Sequence, residues 1–238
     1  MAPGVTGTDH ADRAGGADAG GPPADPRAAQ IAANLAAVRA QVAAVCAAAG
    51  RRPAEVTLIA VTKTFGIDDV RRLIALGVTD LGENRDQEAR AKVEQLAAEP
   101  PPAPVRWHFV GRLQRNKCRS VAGYAAAVHA VDRGELVDAL AAGAGRAGRA
   151  ALDVLLQVSL DGDPARGGAL PADLPALAAA VAAAEPLRLR GVMAVAPQGA
   201  APDAAFAQLA AVAAALRADH PGATAISAGM SGDLAAAI

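Results

Sequence analysis

Leu58-Ile59-Ala60-Val61-Thr62-Lys63-Thr64 closes the apolar run VTLIAV (56–61) with a lysine flanked by two threonines. The run is strand-length, apolar on both faces and preceded by a long helical pattern. Six more runs of this kind follow: VTDLG (78–82), VRWHFV (105–110), AVHAV (127–131), LDVLLQVSL (152–160), LRLRGVMAVA (187–196) and TAISAG (224–229). The segments between them read as helices. Strands buried on both faces and alternating with helices describe repeated right-handed βα units, in a doubly wound sheet or a barrel. We expect an α/β fold of the TIM type, a (β/α) barrel with seven strands visible. A full barrel has eight strands, so the eighth is expected to be missing beyond Ile238, leaving the domain C-terminally incomplete.

Working outward, residues 27–50 form a leading alanine-rich helix with Ile31, Leu35, Val38, Val42 and Val45 at helical spacing, ended by Gly50. Residues 1–26 combine Gly, Ala, Asp and Pro with almost no large apolar side chains, which predicts a disordered N-terminal tail. Residues 27–238 then form a single domain. Gly143, Gly145 and Gly148 spell a literal G-x-G-x-x-G, but they close a helix and precede a strand, the reverse of a dinucleotide-binding turn.

Composition removes several function classes. With 23 basic against 24 acidic residues there is no global field to hold a polyanion, so no nucleic-acid partner is expected. The N-terminus lacks a basic segment followed by an apolar one, and the longest Ala/Leu/Val runs fall short of the roughly 20 residues of a membrane span. No membrane partner and a cytoplasmic location follow. Cys46 and Cys118 lack paired spacing, and four scattered histidines lack ligand spacing, so neither a disulfide framework nor a metal site is expected.

Lysine is scarce, with only Lys63, Lys92 and Lys117, so one at a strand end is informative. In a barrel the C-terminal strand ends form the active-site face. A lysine losing part of its hydration there favours the neutral amine that attacks an aldehyde, which is Schiff-base chemistry; alternatively Lys63 snorkels to water. The second strand ends in Glu83-Asn84: Asn84 offers a donor and an acceptor to a ring substituent, or caps a helix, while Glu83 positions a neighbouring base. His108, on the third strand, titrates or packs beneath the site, the structural role being the simpler. Ser227-Ala228-Gly229-Met230-Ser231-Gly232-Asp233 runs from the seventh strand into a helix. Its small residues would let backbone N–H groups approach a phosphate, although a serine N-cap explains Ser231 equally.

These residues carry a resemblance. AVTKT, LGENRDQEA, RWHFVGRLQRNK, VHAVD, LLQVSL, LRGVMAVAP and SAGMSGDL occur in order over residues 28–238, and together the chain resembles the pyridoxal phosphate homeostasis proteins, which share the barrel of alanine racemases but lack their second domain. The resemblance implies pyridoxal 5′-phosphate (PLP) as cofactor, held as a Schiff base on Lys63, with Asn84 beside it, Met230, Ser231 and Gly232 at its phosphate, and His108 below. It implies a role in intracellular PLP homeostasis without a catalytic reaction and PLP-dependent apoenzymes as recipients; a monomer is expected. An eighth strand with an arginine facing the pyridine nitrogen is implied beyond Ile238, and Ala194-Val195-Ala196-Pro197 stands where many relatives are bulkier and more polar. The alternative is a PLP-dependent amino-acid racemase. That reaction needs an acid/base on each face of the substrate, and Tyr124, the single tyrosine, follows the third strand. A cofactor-free Schiff-base aldolase using Lys63 leaves the resemblance unexplained.

Overall fold

The structure, a computed structural model, describes residues 25–101 and 103–238. The expected tail therefore lies outside the described residues except at its end. There Asp25 caps the first helix, its carboxylate accepting from the Arg27 and Ala28 amides at 2.9 and 3.2 Å, and Pro26 is the first helical residue.

Helices and strands alternate along the chain: α1 (Pro26–Ala48), β1 (Ala60–Val61), α2 (Ile67–Ala75), β2 (Asp80–Glu83), α3 (Asp86–Ala98), β3 (Arg106–Phe109), α4 (Cys118–Tyr124), β4 (Ala127–Val131), α5 (Gly134–Arg146), β5 (Leu152–Gln157), α6 (Leu174–Ala183), β6 (Leu187–Met193), α7 (Pro202–Asp219), β7 (Ala225–Ser227) and α8 (Leu234–Ala237). All seven predicted strands are present. Most are shorter than the apolar runs that announced them, because the ends of those runs turn into the loops of the barrel rim. The glycine triplet closes α5, with Gly148 just beyond it at φ 64°.

The strands pair in parallel in the order β1-β2-β3-β4-β5-β6-β7, so each βα unit lies beside the next. The sheet is strongly curled. Strands β4 and β7 are three positions apart, which would separate them by about 14 Å in a flat sheet, yet the His129 and Ser227 side chains meet at 2.8 Å. At the far side, Arg51 Nη1 donates to the Ile238 carbonyl at 2.7 Å. This is the α/β barrel wall expected from the sequence, with β1 and β7 as its two edges among the described residues. Val61 and Ile226, on those edge strands, are 44% and 45% exposed.

Side chains alternate between two environments. Outward-facing residues make the core between sheet and helices: Leu81 and Trp107 join Leu35, Val70, Ile74 and Leu96 under α1 to α3, while Val128, Val154, Leu156 and Val192 pack with Leu136, Leu140, Val181 and Leu209 under α4 to α7. Inward-facing residues include Gly82, His108, Met193 and Ser227. Gly191 makes the β6–β7 pairing possible: its φ is 149°, and a Cβ there would lie 1.8 Å from the Ala225 carbonyl oxygen.

The helix α1 corrects one expectation. By length and composition it is long and apolar enough to cross a membrane, with a mean hydropathy of 1.6 over its best window. Its apolarity comes mostly from alanine, and it lies along the barrel with Ile31, Leu35 and Cys46 buried.

Candidate functional site

The first part of the site is the rim formed by β1 and β2. Register pairs Val61 with Gly82, and the Thr62 amide continues the ladder to the Gly82 carbonyl at 2.9 Å, so Lys63 and Asn84 leave the sheet side by side. Behind them, on the helix side, is a buried ionic clamp. Lys92 of α3 donates to Glu83 Oε1 at 2.6 Å and to the Thr62 carbonyl at 2.7 Å, and the Thr62 hydroxyl donates to the same Glu83 oxygen at 2.6 Å. Thr62, Glu83 and Lys92 are 2%, 1% and 6% exposed. The clamp fixes the backbone on which Lys63 is mounted. Immediately after it, Thr64 holds φ 68°, the left-handed region that a β-branched residue normally avoids. Its amide donates to Glu88 Oε2 at 3.2 Å.

Lys63 is exposed, so the partial desolvation expected at a barrel mouth is not found. The reason is its place on an edge strand, with a neighbour on one side only among the described residues. The other two lysines are engaged, Lys92 in the clamp and Lys117 beside Asp86 at 3.9 Å. Asn84 is pinned by Gly111, where an added Cβ would lie 2.3 Å from the Asn84 carbonyl oxygen. Its side-chain Oδ1 is buried without a hydrogen-bond partner among the described residues.

The second part is a chain of hydrogen bonds through the barrel interior. Asp80 Oδ1 meets His108 Nε2 at 2.9 Å, His108 Nδ1 meets His129 Nε2 at 2.9 Å, and His129 Nδ1 meets Ser227 Oγ at 2.8 Å. The two rings are edge to face, with centroids 5.1 Å apart. His108 therefore lies buried below the rim in a structural network. Burial is the main influence on both imidazoles, holding His108 below the usual histidine range despite the opposing pull of Asp80, and pushing His129 down to about 3. The histidines were expected to be scattered, but His108 and His129 meet. They share inward parity on successive strands, His129 lying two residues beyond Ala127, the register partner of His108, and that parity is the one sequence signal that could have found the pair. His129 and Asp80 were not singled out from sequence, Lys92 was named only as one of three lysines, and Ser227 only as the first residue of the anion-binding segment.

The third part is the loop after β7. Ser227 ends the strand half-buried, Gly229 turns at φ 87°, and Met230, Ser231 and Gly232 are exposed. Asp233 accepts from the Met230 amide through its side chain and stands at the N-cap position of the one-turn α8 without a side-chain capping bond, so Ser231 is not the N-cap. An added Cβ at Gly232 would meet nothing within 4 Å, which leaves this backbone open to approach. Among the described residues no cluster of three or more His, Cys, Asp or Glu side chains is placed to hold a metal ion.

Comparison with known proteins places this geometry. Residues 33–237 match the family model of the alanine racemase N-terminal domain. The chain is 43% identical over 218 residues to the pyridoxal phosphate homeostasis protein of Mycobacterium tuberculosis, covering 86% of this chain and 84% of the relative. It is 36% identical over 215 residues to the protein of the same name from Escherichia coli, covering 87% and 89%. Among solved structures, it superposes on PipY of Synechococcus elongatus with PLP bound at a TM-score of 0.75 and 36% identity, covering 87% of this chain and 92% of that one. By model, identity and fold, the chain belongs to the pyridoxal phosphate homeostasis protein family, within the barrel fold of the alanine racemase N-terminal domain.

Proposed function

We propose that this protein binds PLP through the Lys63 amine and serves intracellular PLP homeostasis as a carrier, without a catalytic reaction of its own. The observation that carries the reading is the pairing of Lys63, the lysine without an ion pair among the described residues, with the unpartnered buried Oδ1 of Asn84 at the same rim. A buried acceptor left without a donor costs about 1–3 kcal/mol, and a ring hydroxyl would satisfy it. PLP supplies an aldehyde for a lysine amine and a phosphate that takes hydrogen-bond donors. The residues present fit both: Lys63 would take the aldehyde, Asn84 would orient the ring, and the loop backbone at Met230, Ser231 and Gly232 would lie at the phosphate, with His108 below. The family relatives that carry the homeostasis name support the role.

The racemase reading is weaker. It needs a second acid/base on the opposite face, and Tyr124 lies in the helix layer, packed against both outer cores with its hydroxyl buried. Burial pushes that phenol far above its usual range. On the carrier reading the protein is a cytoplasmic single-domain monomer that hands PLP to dependent apoenzymes. The test is to load the purified protein with PLP, record its visible absorbance, reduce with borohydride and map the added mass. Mass on Lys63 and no turnover on an amino-acid panel are expected. Racemisation of any panel member would replace the carrier with an enzyme, and mass elsewhere would remove Lys63 from the site.

A further inference from the structure

The Asp80–His108–His129–Ser227 chain connects the floor of the barrel to the rim, and the carboxylate at one end fixes the direction of every proton in it. Asp80 can only accept, so the neutral His108 carries its proton on Nε2 and offers Nδ1 as an acceptor. His129 then carries its proton on Nε2 and donates to His108, and its bare Nδ1 takes the Ser227 hydroxyl proton. In this state Ser227 points its proton inward and shows lone pairs to the mouth. Such a hydroxyl repels an anion. A second state is reached by adding one proton at the mouth. The new proton goes to Ser227 Oγ, the old hydroxyl proton passes to His129 Nδ1, and the His129 Nε2 proton passes to His108 Nδ1. His108 becomes an imidazolium against Asp80, His129 remains neutral in the other tautomer, and Ser227 donates outward.

We propose that this relay couples anion binding at the end of β7 to uptake of one proton by His108, making Ser227 a switchable donor to the phosphate of the ligand. Ser227 lies at the rim beside the Met230–Gly232 backbone, where the carrier reading puts that phosphate, so the inference rests on that reading. An added charge on His108 meets a burial penalty, which the carboxylates of two neighbouring strands oppose. From β2 comes Asp80, itself near Arg106 of β3 at 3.6 Å. From β4 comes neutral His129. From β5 comes Asp153, paired with Arg188 and Arg190 of β6 at 2.5 and 3.8 Å. Lys63, just beyond β1, is exposed at the rim. The proton goes to His108 because His108 faces a carboxylate, whereas His129 faces only the other imidazole and a hydroxyl.

The test has two arms. In the first, nitrogen NMR of the ligand-free protein reports the His129 tautomer before and after saturation with inorganic phosphate. The expected change is from Nε2–H to Nδ1–H, with His108 moving to the imidazolium form. An Nδ1–H tautomer in the free protein, or no change at saturation, overturns the proposal. In the second, titration calorimetry at pH 8 in buffers of different ionisation enthalpy counts protons taken up with PLP and with pyridoxal, which lacks the phosphate. The full-chain protein is expected to take up about one proton more with PLP than with pyridoxal, and Ser227→Ala to lose that difference together with roughly tenfold in PLP affinity while pyridoxal affinity holds. Equal uptake in the variant overturns the relay. Absence of covalent mass on Lys63 with either ligand would instead refute the carrier reading, and the phosphate-only arm would still decide the relay.

Discussion

Thr64 stores strain next to the residue the proposed function depends on. Its φ of 68° is unfavourable for a β-branched side chain, and positions held in such regions cost about 1–3 kcal/mol that the surroundings must sustain. Thr64→Gly relieves it, so the variant is expected to unfold at an equal or higher urea concentration, the gain limited to about 1 kcal/mol by glycine's greater unfolded-state entropy. The same change frees the segment carrying Lys63 and is expected to weaken PLP binding; a variant both destabilised and unaltered in affinity would show that Thr64 is not strained in solution. Lys63→Ala is expected to abolish the visible absorbance of the loaded protein with little loss of stability, because an exposed rim side chain contributes little to the core. Since Lys92 is buried in its clamp, absorbance that persisted in this variant would point to Lys117.

At the scale of elements, two devices hold the rim strands in place. The Glu83–Lys92 clamp ties α3 to both β1 and β2, and removing one member leaves a buried charge without its partner. Lys92→Met is expected to cost about 3–5 kcal/mol, with PLP affinity falling as the Thr62 carbonyl is released. The double change Glu83→Leu/Lys92→Met is expected to cost less than the sum of the single changes, which denaturant midpoints of the four proteins would measure. Additivity would mean the two groups act separately. Gly191 is the second device. Any side chain there collides with the Ala225 carbonyl, so Gly191→Ala is expected to lose at least about 3 kcal/mol and to displace β7 with Ser227; an unchanged thermal midpoint would contradict the β6–β7 packing described here.

For the whole molecule, the buried imidazoles set the acid limit. An unfolded histidine titrates near 6.5, whereas folding holds His108 lower and His129 at about 3. Between those values the unfolded chain binds more protons than the folded one, so stability is fully present above about pH 6.5 and declines as pH falls towards 3. His129 alone is expected to remove about 2 kcal/mol of stability by pH 5. Urea midpoints of the ligand-free protein at pH 7.5 and pH 5 should show this loss, and His129→Asn should flatten it. A midpoint constant across that interval would mean that both rings already share a proton in the folded state.

The order of βα units, the closure of α5 by its glycines and the placement of Lys63 and Asn84 at strand ends were legible in the sequence, because strand runs apolar on both faces and the residues at their C-terminal ends are local properties of the chain. The family segments added Met230, Ser231 and Gly232 in the same way. The meeting of His108 with His129, and of both with Asp80 and Ser227, was not legible. It spans β2, β3, β4 and β7 and depends on how tightly the sheet curls, which no single segment encodes. The clamp has the same origin: Lys92 reads as one more charged helix residue until α3 packs its face over Glu83. The exposure of Lys63 was likewise decided by tertiary structure, since desolvation depends on what lies on both flanks of β1 and not on the apolar residues within it.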